Sequence, residues 1–306
     1  MKKFEYLDPE KLVKTDDFKI IEAFLQLTRR TQIGWHYIID LTWIYQQAKH
    51  WPAGTNVLDA GGGSGPVQYL LAEMGMNVIN IDLFHPTESN LPFYGKRYAL
   101  TFRHFESYKA TDYVAHLKSV DKSQSGLTWL RKIIASSAVT KKIRYITYFK
   151  KHDQWRQLAG LGNRSVGKIT RIVGNLCNMP EIPTKSFDAV VSVSALEHIP
   201  IAILPSAIAE IKRVVLPNAF CAITTSATEK LTWHHEPSKG LCFSDEDLNK
   251  YFGAAKFCDQ TAVEVLENYK SSSYLKNHLA NFYSLSGNNG MPWGKWDPQY
   301  IPVGIR

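Results

Sequence analysis

A β-branched run that ends in four glycines within five residues constrains this chain more than any other feature. TNVLDA (55–60) leads into Gly61-Gly62-Gly63-Ser64-Gly65, then into the helical pattern PVQYLLAEMG, and then into NVINID (77–82), which reads as a second buried strand. Strand, glycine loop, helix and strand in that order make a βαβ unit, which requires a parallel sheet. Glycines at the end of the first strand let the backbone approach a ligand closely, and the helix that follows offers free N–H groups. Two common phosphate-binding patterns do not fit. G-x-G-x-x-G counted from Gly61 meets Pro66 at its third glycine, and G-x-x-x-x-G-K-[ST] fails at the same residue.

Sheet-like sequence resumes at RIVGNL (171–176) and continues with FDAVVSVSA (187–195) and AFCAITTSA (219–227). IAILPSAIAEIKRVV predicts a helix with Pro205 in its first turn. Ser244, with Asp247 three residues on, starts another at SDEDLNKYF. AVEVLENY and YIPVGIR read as a terminal strand pair around a helix at SSYLKNHLANFY, while FKIIEAFLQL and YIIDLTWIYQQAK predict two early helices broken around Gly34. The expected class is α/β, a doubly wound sheet that is mostly parallel with an antiparallel last strand. Residues 1–50 are expected to form an N-terminal helical lid, 51–84 and 171–306 the sheet domain, and 85–170 a basic, mainly helical cap inserted into it.

With 44% hydrophobic and 21% charged residues, the chain is neither disordered nor fibrous. No apolar run approaches the ~20 residues of a membrane-spanning helix, and MKKFEYLDPEKL lacks the apolar core of a signal peptide. Cys177, Cys221, Cys242 and Cys258 show neither C-x-x-C pairing nor zinc spacing, so reduced thiols, no metal and a cytoplasmic setting are expected. The net charge of +8 is unevenly spread: residues 84–171 hold 17 Lys and Arg against 5 Asp and Glu. Such a block calls for an acidic partner. Within it, LRKIIASSAVTKKIRYITYFKKHDQW (130–155) mixes isoleucines with lysines. It reads either as a helix peripheral to the inner, anionic face of a membrane or as a cap helix packed on the main domain.

Asp82 ends the second strand 17 residues after Gly65, where a carboxylate can accept both hydroxyls of a ribose. VLDAGGGSG, NVINID, GNLCNMP and FDAVVSVSALEHI, in that order, resemble the class I S-adenosylmethionine-dependent methyltransferases, nearest the small-molecule branch called type 11. The likeness covers about residues 55–84 and 171–228. It implies a Rossmann-like methyltransferase sheet and S-adenosyl-L-methionine as cofactor. Carried over by position, Asp59, Gly61 and Gly63 surround the methionine part, Asp82 holds the ribose and Leu83 packs on the adenine. Asn175, where relatives often carry Asp, accepts from the adenine amino group, the Leu176 backbone meets the ring nitrogen, and Ser194 borders the methionine amino group. Ile33-Gly34-Trp35-His36-Tyr37 resembles an aromatic lid segment in methyltransferases of polysaccharide-type gene clusters, which makes Trp35, His36 and Tyr37 candidate substrate contacts.

Methyl transfer from a sulfonium is an in-line displacement in which the protein supplies alignment and, for a hydroxyl acceptor, a base. His198, after the fourth strand, is the first candidate for that base. Trp233-His234-His235-Glu236, after the fifth, offers Trp233 and His234 to flank an acceptor and His235 or Glu236 as alternate base. The expected activity is methylation of a small-molecule or glycan-type acceptor, anionic or lipid-linked, at oxygen in preference to nitrogen. Two alternatives use the same features: an RNA-modifying methyltransferase holding phosphates with the basic block, and a non-catalytic cofactor-binding partner of anionic lipid or nucleic acid. No RNA-binding module signature supports the former.

Overall fold

The computed structural model describes residues 2–84, 91–107, 138–283, 291 and 295–306. Along the chain its strands are β1 (Lys2–Tyr6), β2 (Asn56–Ala60), β3 (Asn77–Asp82), β4 (Thr101–His104), β5 (Ile169–Val173), β6 (Phe187–Val193), β7 (Val215–Ala227), β8 (Trp233–His235), β9 (Gly240–Cys242), β10 (Ala254–Lys256) and β11 (Ile301–Ile305). The βαβ unit forms as expected. β2 and β3 pair in parallel with Leu58 opposite Ile79, and the helix Val67–Glu73 crosses between them. Both strands are short hydrophobic runs because each lies inside a sheet covered by helices.

Among the described residues nine strands make one sheet in the order β10-β1-β11-β7-β6-β2-β3-β5-β4. All run the same way except β11, which is antiparallel to both β7 and β1. The strand order reverses between β2 and β6, and a ligand crevice is expected at such a switch point, beyond the carboxyl ends of the strands. β8 and β9 form a separate hairpin.

The strand order corrects three expectations. Residues 1–50 are not only a helical lid, because β1 lies inside the sheet between β11 and β10, with Phe4 and Tyr6 buried and Lys3 and Glu5 more exposed. AVEVLENY is not a strand but the start of the helix Ala262–Ser271. A full capping box between Thr261 and Glu264 opens it, and Val265 and Tyr269 face the core one helical turn apart. The partner of YIPVGIR is therefore β7 on one side and β1 on the other. The insertion, finally, is not only a cap, since β4 extends the sheet in parallel with β5.

Part of the segment 130–155, residues 130–137, lies outside the described residues. The rest belongs to the helix Ala138–Leu158, which is docked on its inner side. Trp155 donates from Nε1 to the Ile20 carbonyl at 2.9 Å and packs on Phe24, while Ile146, Lys150 and Lys151 are exposed. Buried Glu73 fastens this helix and the helix Leu91–Arg97 to the sheet domain. It accepts from Arg97 Nε (2.5 Å), His152 Nδ1 (2.7 Å) and Tyr98 Oη (2.8 Å). Burial alone would raise the Glu73 pKa, but the hydrogen bonds from His152 and Arg97 outweigh it and hold the value at about 2. Among the described residues no helix is long and apolar enough to cross a membrane.

Candidate active site

The loops after β2, β3, β5 and β6 converge on a cavity of about 590 Å³ at the switch point, within the range of roughly 300–1,000 Å³ usual for small-molecule sites. The glycine loop forms its floor. Gly61 has φ +74°, and a Cβ there would lie 2.9 Å from that of Ala195, so only glycine brings the loop this close to β6. A Cβ on Gly62 would lie 2.0 Å from Asp59 Oδ2.

Asp59, expected beside the methionine part, is accordingly not a wall of the cavity. It lies fully buried beneath the loop and accepts from Asn80 Nδ2 at 2.7 Å, and that amide also reaches the Gly63 carbonyl. Burial first, and then Asp82, push the Asp59 pKa up to about 7, against the opposing pull of Arg171 and Asn80. Its role is to brace the loop from behind.

The other expected cofactor residues, Gly61, Gly63, Asp82, Leu83, Asn175, Leu176 and Ser194, all line the cavity. Asp82 is set in place by two backbone amides, Gly63 N–H on Oδ2 and Phe84 N–H on Oδ1, each at 3.0 Å. Asn175 Oδ1 accepts from Cys177 N–H at 2.9 Å, which closes the turn after β5 and leaves that oxygen its second lone pair. Ser194 takes φ +48° and donates from Oγ to Glu197 Oε1 at 2.5 Å. Arg30, which sequence reasoning missed, also lines the cavity and donates to the Ser64 carbonyl at 2.5 Å. It follows the left-handed cap residue Arg29 at the end of the helix Asp16–Thr28, and no local pattern ties it to a loop 34 residues on.

A second cavity of about 210 Å³ adjoins the first, and Tyr37, Ser194 and His198 line both. His198 Nδ1 donates to the Lys239 carbonyl at 3.0 Å, which leaves Nε2 as the lone-pair nitrogen. His36 lines the second cavity and pairs through Nδ1 with Asp40 Oδ2 at 2.7 Å. Trp35 lines neither cavity. It is buried behind the second one, donating from its backbone N–H to Tyr283 Oη (2.8 Å) and from Nε1 to Tyr300 Oη (3.1 Å). Tyr283 and Tyr300 do line it, as does Glu197, and none of the three was singled out from sequence.

The cluster after β7 faces elsewhere. His235, expected as an alternate base, is fully buried and lines neither cavity; its Nδ1 accepts from Ser238 N–H and Oγ–H, and burial lowers its pKa. Glu236 and His234 pair with each other at 3.1 Å on the exposed side of the hairpin, and Trp233 packs edge-on against His235. Alternation along β8 explains this, turning His235 toward Tyr300 and His234 to solvent. None of Trp233, His234, His235 and Glu236 lines either cavity.

A family model described as a methyltransferase domain matches residues 107–223, from just after β4 into β7. The fold is the Rossmann-like one of class I S-adenosylmethionine-dependent methyltransferases, and residues 107–223 are similar to their methyltransferase domain. S-adenosylmethionine is the cofactor of such a methyltransferase domain. Among solved structures, the chain is similar to a SAM-dependent methyltransferase from Methanosarcina mazei, at 18% identity over 61% of this chain and 58% of that one, with a TM-score of 0.31. It is also similar to a SAM-dependent methyltransferase from Aquifex aeolicus, at 15% identity over 81% and 82% of the two chains, with a TM-score of 0.33. The chain spans 47% and 58% of the length of two of the structures it resembles. No curated protein matches the sequence.

Proposed function

We propose that the protein moves the methyl group of S-adenosylmethionine to a small acceptor seated in the 210 Å³ cavity. The observation that carries this reading is the place of His198, on the wall shared by the two cavities with Nε2 left as its lone-pair nitrogen. Bound in the larger cavity, the cofactor supplies an electrophilic methyl group on a positively charged sulfur. Asp82, already oriented by two amides, accepts from the ribose hydroxyls. Leu83 and Leu176 offer apolar contact to the adenine, and Asn175 takes its amino group with the lone pair left to it. Gly61, Gly63 and Ser194 border the methionine part. Tyr37 closes the acceptor side, and His198 Nε2 accepts the proton that the nucleophile gives up.

The same base serves a hydroxyl, the acceptor favoured from sequence, or an amine. Calorimetric titration with S-adenosylmethionine and S-adenosylhomocysteine, beside NADH as control, tests the reading. Micromolar binding of the two sulfur ligands alone is expected, and binding of neither would sink it.

A further inference from the structure

The second cavity says what kind of acceptor it takes. Resting on the methyl-transfer reading, this inference concerns Glu197, which is 3% exposed. Its Oε1 accepts from Ser194 Oγ at 2.5 Å and its Oε2 from Thr225 Oγ1 at 3.0 Å. Among the described residues no lysine or arginine pairs with it, and none lines the cavity. The one imidazole that is ion-paired there, His36, is matched by Asp40. Buried carboxylates are ordinarily paired with a cation, because two neutral hydroxyl donors do not repay the loss of water around a charge. Aromatic rings from Tyr37, Phe282, Tyr283 and Tyr300 form much of the remaining wall. A carboxylate among aromatic rings, with no lysine or arginine among the described residues lining the cavity, is an environment that selects a small organic cation. It disfavours an anionic acceptor, which would meet Glu197 without a countercharge.

We propose that the 210 Å³ cavity binds a small primary or secondary amine in its ammonium form, held by Glu197, and that the amine nitrogen receives the methyl group. The cavity, at about 210 Å³, is smaller than the roughly 300–1,000 Å³ of a drug-sized ligand site, which suits a small molecule or one terminal group. Nitrogen is the atom methylated because Ser194, bonded to Glu197, also lines the cofactor cavity, so an ammonium on Glu197 lies at the shared wall. The ammonium first gives a proton to His198 Nε2. Its freed lone pair then forms the N–C bond as the S–CH3 bond breaks, and the electron pair of that bond passes to sulfur. The products are the methylated ammonium, the neutral thioether S-adenosylhomocysteine and one proton, released from His198 to solvent.

Calorimetry on the protein loaded with S-adenosylhomocysteine tests this, with cyclohexylamine and ethanolamine set against cyclohexanol and ethylene glycol. The amines are expected to bind at least tenfold more tightly than the matching alcohols. Glu197→Gln should erase that preference while changing S-adenosylhomocysteine affinity less than twofold. Equal binding of amines and alcohols, no saturable amine binding, or an amine preference that survives Glu197→Gln overturns the proposal. So does loss of S-adenosylhomocysteine binding in a folded Glu197→Gln protein, which would give the carboxylate to the cofactor's own ammonium. The wild-type comparison does not depend on the variant folding. Failure of wild-type protein to bind S-adenosylhomocysteine defeats the methyl-transfer reading itself, whereas binding it without amine preference defeats this inference alone.

Discussion

His198 Nδ1 donates to the carbonyl oxygen of Lys239 at 3.0 Å, and that contact fixes which face of the ring can take a proton. Gly240, the next residue, keeps the hairpin close, since a Cβ there would lie 3.2 Å from His198 Cε1. With Nδ1 committed, Nε2 is the acceptor on the wall common to both cavities. His198→Ala should lower kcat by about 10²–10⁴-fold, the range typical of a lost general base. S-adenosylmethionine affinity should stay within about twofold. Stopped-time assays of S-adenosylhomocysteine formation, paired with calorimetry, check both, and a fully active variant would remove the need for a base at this position.

Asp82 occupies the wall with both oxygens already held by amides. Asp82→Ala removes the acceptor proposed for the ribose and also the anchor of Gly63 N–H. At about 1.5–3 kcal/mol for a hydrogen bond to a charged group, the dissociation constant for S-adenosylmethionine should rise roughly 10- to 150-fold. The far-ultraviolet circular dichroism should be unchanged. Unaltered affinity would sink the ribose assignment.

Much of this site was legible because its signals are local. The glycine loop, Asp82, Asn175 and Ser194 each stand at the end of a buried strand, and strand ends can be found from hydrophobic runs and turn residues. The second cavity was not legible, because Tyr283 and Tyr300 arrive from the far end of the chain and are held by Trp35, a contact across more than 240 positions. β1 had a readable alternation, with Phe4 and Tyr6 inward, but at five residues it is too short to outweigh the helices that follow. AVEVLENY misled because its β-branched residues favour strands, although the capping box at Thr261 and Glu264 was there to be read.

Asp59 gives the protein a stability that falls as pH rises. Its folded pKa, about 7, stands above the value of 3.8 it has when unfolded, so the folded state holds the extra proton. The contribution is complete below pH 4 and is lost as pH rises through 7, by at most roughly 4 kcal/mol. Asp59→Asn has no proton to lose. Denaturant unfolding at pH 5 and pH 8 should show a drop in the wild type that the variant lacks. Parallel pH profiles for the two proteins would mean that the carboxyl ionises freely beneath the loop.

Glu73 provides the last test, because three segments meet on one buried carboxylate. Arg97 brings the helix Leu91–Arg97 to it, His152 brings Ala138–Leu158, and Tyr98 adds a hydroxyl. Glu73→Gln keeps the shape but removes the charge, leaving the Arg97 guanidinium, 6% exposed, with the outer carboxylate of Asp153 as its one remaining acidic partner among the described residues. Breaking a buried pair in this way costs about 3–5 kcal/mol. The thermal midpoint should therefore fall by roughly 5–15 °C. S-adenosylmethionine should still bind at temperatures where the variant is folded, since no atom of Glu73 lines either cavity. Loss of cofactor binding without loss of stability would show instead that the clamp positions the glycine loop through the helix Val67–Glu73, which starts beside it.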